Sequence, residues 1–195
     1  NDVAPALAAA FSTNVPIVAL HLTRPAIEVP DRKKLGISSY LEASKGAYLI
    51  RDYDDRPRQG VVIVRGTSST NSVVSILDEI SSKFNVKIVS AVSWELFDMQ
   101  SSEYKSSIIS KQEWADSMII SNTGLSVMKN WISNRVVEEY SLTPDWDNRW
   151  RTGGSLEQII DEAHLSPRWV MKSLEKFTND RKKRLDILRQ EIPEN

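Results

Sequence analysis

The feature that most restricts the fold of this chain is an alternation of short all-apolar runs with helical periodicity in its middle third. Val61 to Val64 is an unbroken apolar run, Val73, Ile76, Leu77 and Ile80 recur on one face of a helix predicted over Val73 to Phe84, and Val86-Lys-Ile-Val89 is a strand again. A strand with no polar alternation must be covered on both faces. A strand, helix, strand unit brings the second strand back parallel to the first through a right-handed crossover. Gly46 to Arg51 and Met118 to Ile120 add strands, and Val136-Val137 is a candidate last one. The predicted fold class is α/β: a three-layer α/β/α sandwich on a mostly parallel, mixed sheet of about five strands.

The flanks read differently. Val3 to Phe11 is alanine-rich and helical, and Pro16 to Leu22 is an apolar run suited to a buried strand. Thr23 to Leu35 holds two prolines and the charge cluster Asp31-Arg-Lys-Lys34, an exposed connector that places a boundary near residue 35. Ser110-Lys-Gln-Glu113 and Ser155-Leu-Glu-Gln158 are capping boxes that open helices, and Ser166-Pro167 supplies an N-cap hydroxyl before a proline at the first helical position. Leu125, Met128, Trp131 and Ile132 have helical spacing. In the tail, Val170, Leu174 and Phe177 form an apolar stripe, while Arg181-Lys-Lys-Arg184 reads as a solvated face near a helix end. The start, NDVAPALAAAF, has neither Met nor a basic leader and reads as a fragment or processed chain.

Composition narrows the function classes. With 195 residues, 41% hydrophobic and 26% charged, the chain is a soluble globular protein of about one domain, without a membrane span. Its formal net charge of −1 provides no global field toward nucleic acid or an anionic membrane. The absence of cysteine excludes disulfides, thiolate nucleophiles and cysteine-ligated metal, and is compatible with a cytoplasmic location. His21 and His164 are too isolated in sequence to form a metal-binding pair, so each reads as ordinary surface or core histidine.

Val89-Ser-Ala-Val-Ser-Trp-Glu-Leu-Phe-Asp-Met-Gln100, followed by Glu103-Tyr104 and Ser107-Ile-Ile109, resembles the carboxy-terminal domain of transketolases. Ala43-Ser-Lys-Gly-Ala-Tyr48 and Val61 to Ile80 are similar to the family's preceding strands, loop and helix, so that the resemblance spans roughly Pro16 to Phe177. It implies a domain that supports assembly of a thiamine-diphosphate enzyme which moves two-carbon ketol units between sugar phosphates, as in the pentose phosphate pathway. Residues 1–35 would be the end of the pyrimidine-binding domain and a linker. Residues 36–195 would be the carboxy-terminal domain, with an insert at about 141–154 and a helical tail. The implied partners are the remaining transketolase domains, or a separate catalytic subunit, and a second copy in a homodimer. Thiamine diphosphate and magnesium belong to the missing domains, so this chain by itself would bind no cofactor and be inactive. Two other readings stay open: an independent ligand-sensing module, and the carboxy-terminal part of a 2-oxoacid dehydrogenase β-type subunit.

The candidate site residues are few. By the resemblance, Arg24 is the nearest match, two residues out of register, to an arginine that contacts the substrate phosphate. In the loop Gly66-Thr-Ser-Ser-Thr-Asn71, Ser68, Ser69 and Thr70 could hold an anion at a helix start, although capping of a helix at Val73 by Thr70 or Asn71 is the preferred reading. Trp94 to Phe97 reads as structural packing. In the insert, Trp146 and Trp150, beside Arg149 and Arg151, are a candidate interface, the alternative being an inward-folded aromatic cap.

Overall fold

A computed structural model of the chain describes residues 1–23, 26–151 and 153–191. Helix α1 is Val3–Phe11, and a 3-10 helix at Tyr40–Lys45 leads into β1, Ala47–Arg51. Then follow β2 (Val61–Arg65), α2 (Thr67–Val74), α3 (Leu77–Lys83), β3 (Lys87–Ala91), α4 (Trp94–Asp98), α5 (Ser102–Ile108), α6 (Lys111–Ala115) and β4 (Ser117–Ser121). After a second 3-10 helix, Leu125–Trp131, come α7 (Arg135–Tyr140), α8 (Leu156–Glu162), α9 (Pro167–Asn179) and α10 (Arg181–Glu191).

The sheet order is β1-β3-β2-β4, with β2 parallel to both β3 and β4 and β1 antiparallel to β3. In-register pairing sets Ile63 opposite Val89 on one side and Ile119 on the other. Because successive side chains leave opposite faces of a strand, Val62, Val64, Ile88, Met118 and Ile120 enter one core, with helices α2, α3, α7 and α9. Val61, Ile63, Val89 and Ile119 enter a second core, with Phe97, Ile108, Met128 and Trp131. The three layers expected from the apolar runs are present. Both capping boxes form, at Ser110/Glu113 and Ser155/Gln158.

Several expectations are corrected. The sheet has four strands, because Val136 and Val137 lie in α7: the Asn134 side chain accepts from both of their N–H groups and starts a helix there. The fifth position shrinks to a single parallel bridge, with Leu142 N–H donating to Ile119 and Ser121 N–H donating back to Leu142. The long helix predicted from Val73 to Phe84 is two helices, broken at Ser75 and Ile76, and the first of them begins at Thr67. The stretch Leu125 to Ile132 is a 3-10 helix, whose three-residue turn brings Met128 and Trp131 onto one buried side. Pro16 to Leu22 is no strand; Ile17 is 84% and Leu22 67% exposed, since a strand needs pairing partners and this segment has none among the described residues.

The tail corrects the reading of Arg181 to Arg184. A new helix starts at Arg181, and Arg184 is 0% exposed at the amino-terminal edge of the sheet. Its Nη2 lies 2.8 Å from Asp116 Oδ1, just before β4, and donates at 3.1 Å to the carbonyl of Gln59, just before β2. Its guanidinium sits 3.5 Å over the Phe177 ring. Gly60 (φ 115°) makes room for this: a Cβ there would stand 2.7 Å from Phe177 and 3.0 Å from Arg184.

The insert folds back on its own chain. Trp146 stacks on His164 (4.1 Å between centroids), and His164 stacks on Trp169 (3.7 Å), so the imidazole is held between two indoles. Asp147 accepts from both Arg149 and Arg151, which hold its carboxyl well below the usual range. His164 lies below the ordinary imidazole value, first through desolvation and then through Arg151, with Lys172 acting the same way and Asp147 and Asp161 opposing.

Two outcomes follow. Breaking a buried ion pair strands its partner, so Arg184→Met is expected to lower stability to urea by about 3 kcal/mol or more, and Arg184→Met with Asp116→Leu to regain much of it. A loss below about 1 kcal/mol in the single variant would show that Arg184 does not hold the tail in this way. For the insert, the stack favours neutral imidazole. Its contribution is therefore present above ~6.5 and lost as the pH falls through the lowered value of His164. Proton NMR of the imidazole should give a midpoint below ~6.5, with the Trp146 and Trp169 indole signals moving on the same curve.

Candidate functional site

All three parallel strands end at the same sheet edge. From β2 the chain turns toward β3, whereas from β4 it turns the other way, through α7 to the Leu142 bridge. The crevice between the carboxyl ends of β2 and β4 is thus the switch point of this sheet, where α/β folds leave room for ligands. Arg65 and Gly66 form one wall, and Ser121, Asn122, Thr123 and Gly124 the other.

Gly66 is the N-cap of α2, with φ 88° and ψ 149°, and a Cβ on it would land on the Asn122 carboxamide. Glycine is required there by both conformation and space. Having no side chain, it gives α2 no side-chain cap. Thr70 N–H donates to the Gly66 carbonyl, so the first turn closes above three N–H groups, of Thr67, Ser68 and Ser69, that find no acceptor among the described residues. The capping role expected of Thr70 or Asn71 is corrected: both lie inside α2, because the helix begins earlier. Ser68 and Ser69 are buried, and Ser69 Oγ has no hydrogen-bond partner. At the third helical position its Cβ tilts toward the amino end of the helix, back over those N–H groups.

Arg65 closes the crevice on the other layer. Its Nη1 makes only long contacts, 3.4 Å to the Val127 carbonyl and 3.8 Å to Met128 Sδ. Ser121 is committed locally, its Oγ 2.8 Å from Thr123 Oγ1 and accepting from Thr123 N–H. Asp145, the carboxylate against Gly124, accepts from Leu125 N–H.

The remaining candidates lie elsewhere. Arg24 is outside the described residues. Trp146 is half-exposed on the His164 stack, and Trp150 is 99% exposed. Trp94 packs with Phe97, Trp114 and Trp131, and the Trp114 Nε1–H donates to the Trp131 carbonyl, as structural packing requires. Sequence reasoning missed Asn122 and the buried pairs Arg184–Asp116 and Lys87–Glu113, the latter at 2.7 Å. For Asn122 a signal existed, a polar residue directly after an apolar strand and before Thr-Gly. No group of three His, Asp or Glu gathers to hold a metal among the described residues, and no described helix is long and apolar enough to cross a membrane.

Residues 46–140 match the family described as the transketolase-like TK C-terminal domain. The chloroplastic transketolase of Craterostigma plantagineum is 35% identical over 98 residues, covering 48% of this chain and 19% of the relative; that of Zea mays is 33% identical over 97 residues, covering 48% and 14%. The chain thus spans less than a fifth of the length of these relatives. A solved transketolase from Pichia stipitis, in complex with sedoheptulose 7-phosphate, superposes with a TM-score of 0.53 at 20% identity over 75% of this chain and 20% of that one. The transketolase of Leishmania mexicana gives 0.52 at 17% identity, over 74% and 19%. At these identities the solved structures speak to the fold alone. The fold, the matched segment and the curated relatives agree: over residues 46–140 this chain carries a domain of the transketolase C-terminal family.

Proposed function

We propose that this chain is the carboxy-terminal, non-catalytic assembly part of a transketolase-like enzyme, one that transfers two-carbon ketol units between sugar phosphates. The observation that carries the reading is the pairing of a three-layer sandwich with an amino-terminal segment whose apolar side chains, Phe11, Ile17, Leu20 and Leu22, stay exposed in this chain. A run of that kind calls for a covering partner. In this proposal residues 1–35 complete a pyrimidine-binding domain and residues 36–195 form the supporting domain. The partner is the remainder of a transketolase, or a separate catalytic subunit, in a dimeric enzyme.

Thiamine diphosphate and its magnesium would be held by those other domains. The residues described here do not fit the metal, since no acidic or histidine trio converges, and no step of the transfer is assigned to them. Arg24 is carried in the proposal as a contact to substrate phosphate at the junction. A cytoplasmic location is part of the same reading, set against relatives whose names are chloroplastic. The 2-oxoacid dehydrogenase alternative loses ground, because the family match and the named relatives are all transketolase.

The test is reconstitution with a longer polypeptide that carries the diphosphate and pyrimidine domains. Co-elution is expected, with ketol transfer between sugar phosphates, in the presence of thiamine diphosphate and magnesium, restored only on mixing. The double variant Ile17→Asp, Leu22→Asp should leave the unfolding midpoint of this chain unchanged and weaken co-elution by roughly ten-fold or more, as expected when apolar anchors of an interface are lost. Turnover by this chain unaided would overturn the proposal, as would undiminished assembly by the double variant.

A further inference from the structure

Beyond an assembly role, we propose that the crevice between the carboxyl ends of β2 and β4 binds a phosphate group, either free phosphate or the end of a phosphate monoester. Four observations converge. The N–H groups of Thr67, Ser68 and Ser69 point out of the start of α2 with no acceptor among the described residues, and the eight-residue helix adds the positive end of its dipole. Within that first turn Ser69 Oγ is fully buried and unpaired, an expensive state for a hydroxyl unless it serves a ligand or an adjustment of the site. Gly66 removes the side chain that would separate the helix start from the opposite wall, so that the backbone lies directly against the Asn122 carboxamide, which itself has no hydrogen bond among the described residues. Arg65, at the end of β2, brings a guanidinium held only by long contacts.

Neighbouring polar groups at this edge are already satisfied, and several other helix starts are capped, although those of α1, α3 and α9 have no side-chain cap. Ser121 and Thr123 bond each other, Asp145 is engaged by Leu125, and the starts of α4, α5, α6 and α8 are capped by Ser93, Ser101, Ser110 and Ser155. The unsatisfied donors at the α2 start lie beside the Asn122 carboxamide, and Arg65 directly precedes Gly66 in the chain. Three backbone amides, a hydroxyl, a carboxamide and a guanidinium match a tetrahedral dianion, which offers several strong acceptors and carries the charge a helix start favours.

The experiment is a titration of the full chain with inorganic phosphate, at constant ionic strength set by chloride, followed by proton–nitrogen correlation NMR. Saturable shifts are expected at the amides of Thr67, Ser68 and Ser69 and at the Asn122 side chain. Arg65→Met should raise the dissociation constant roughly ten-fold, as loss of a charge-assisted hydrogen bond would, while the spectrum away from the crevice stays that of the folded chain. Ser69→Ala should also weaken binding, yet leave the unfolding midpoint without phosphate unchanged or higher, because it removes a buried hydroxyl that has no partner. A second titration, with methyl phosphate, separates the sources: tighter binding assigns a monoester, equal or weaker binding assigns the free ion. Shifts reproduced by chloride alone, or phosphate binding untouched by both substitutions, would overturn the site.

Discussion

The structure hangs on β2. All four apolar residues from Val61 to Val64 are buried, and the strand is paired on both sides, to β3 and to β4. A central parallel strand has no solvent face, so each such side chain contributes roughly 1.5–3 kcal/mol of transfer free energy only if a helical layer covers it above and below. That demand explains the rest of the order. The helices that follow β2 and the tail helices cover one face, while the short helices after β3 and the 3-10 helix after β4 cover the other. It also explains why so many of the covering elements are short: several need to supply only one or two apolar side chains each, as α4 does with Leu96 and Phe97, and α5 with Ile108.

With both faces apolar, the polar groups of the sheet are forced to its two edges, and the edges differ. At the amino-terminal edge the charges are buried and paired, Arg184 with Asp116 and Lys87 with Glu113. Glu113 shows the balance: burial raises its carboxyl, and the bonds from Lys87 and the Ser110 backbone more than reverse that, leaving it below the ordinary range. At the carboxyl-terminal edge the groups are mostly neutral hydroxyls, amides and backbone N–H, and several are left without partners. One edge is closed by ion pairs and holds the tail. The other is the edge that can bind.

How much of this was legible in the sequence depended on whether the deciding contact was local. The four strands were readable because each is a compact apolar run, and the capping boxes because their two partners stand three residues apart. Val136-Val137 misled because two β-branched residues weigh less than the Asn134 cap in front of them. The Gly66 loop misled because serine and threonine have modest helix propensity, which packing of Val73 and burial of Ser69 and Ser72 overrides. Arg184 stands four residues before the buried Leu188, so its helical face was visible. Its acceptor Asp116, 68 residues away, was not.

The amino-terminal segment combines a helix tied down at its start with an exposed apolar run of irregular backbone. One guanidinium, that of Arg32, donates to the Ser38 carbonyl, to Asp2 at 2.6 Å and to the Tyr48 hydroxyl, while Tyr48 itself donates to Asp2 at 2.7 Å. The connector expected to be exposed therefore contains a half-buried polar cluster that ties the start of α1 to β1. Burial and the neighbouring Asp2 push the Tyr48 hydroxyl up to about 12, so it remains a donor across the physiological range. These groups fasten α1 at its amino-terminal end, at Asp2, while the apolar run lies beyond the other end of the helix and is exposed. Covering Ile17, Leu20 and Leu22 would therefore carry the cost of ordering them in the binding step itself, offset by the apolar area removed from water.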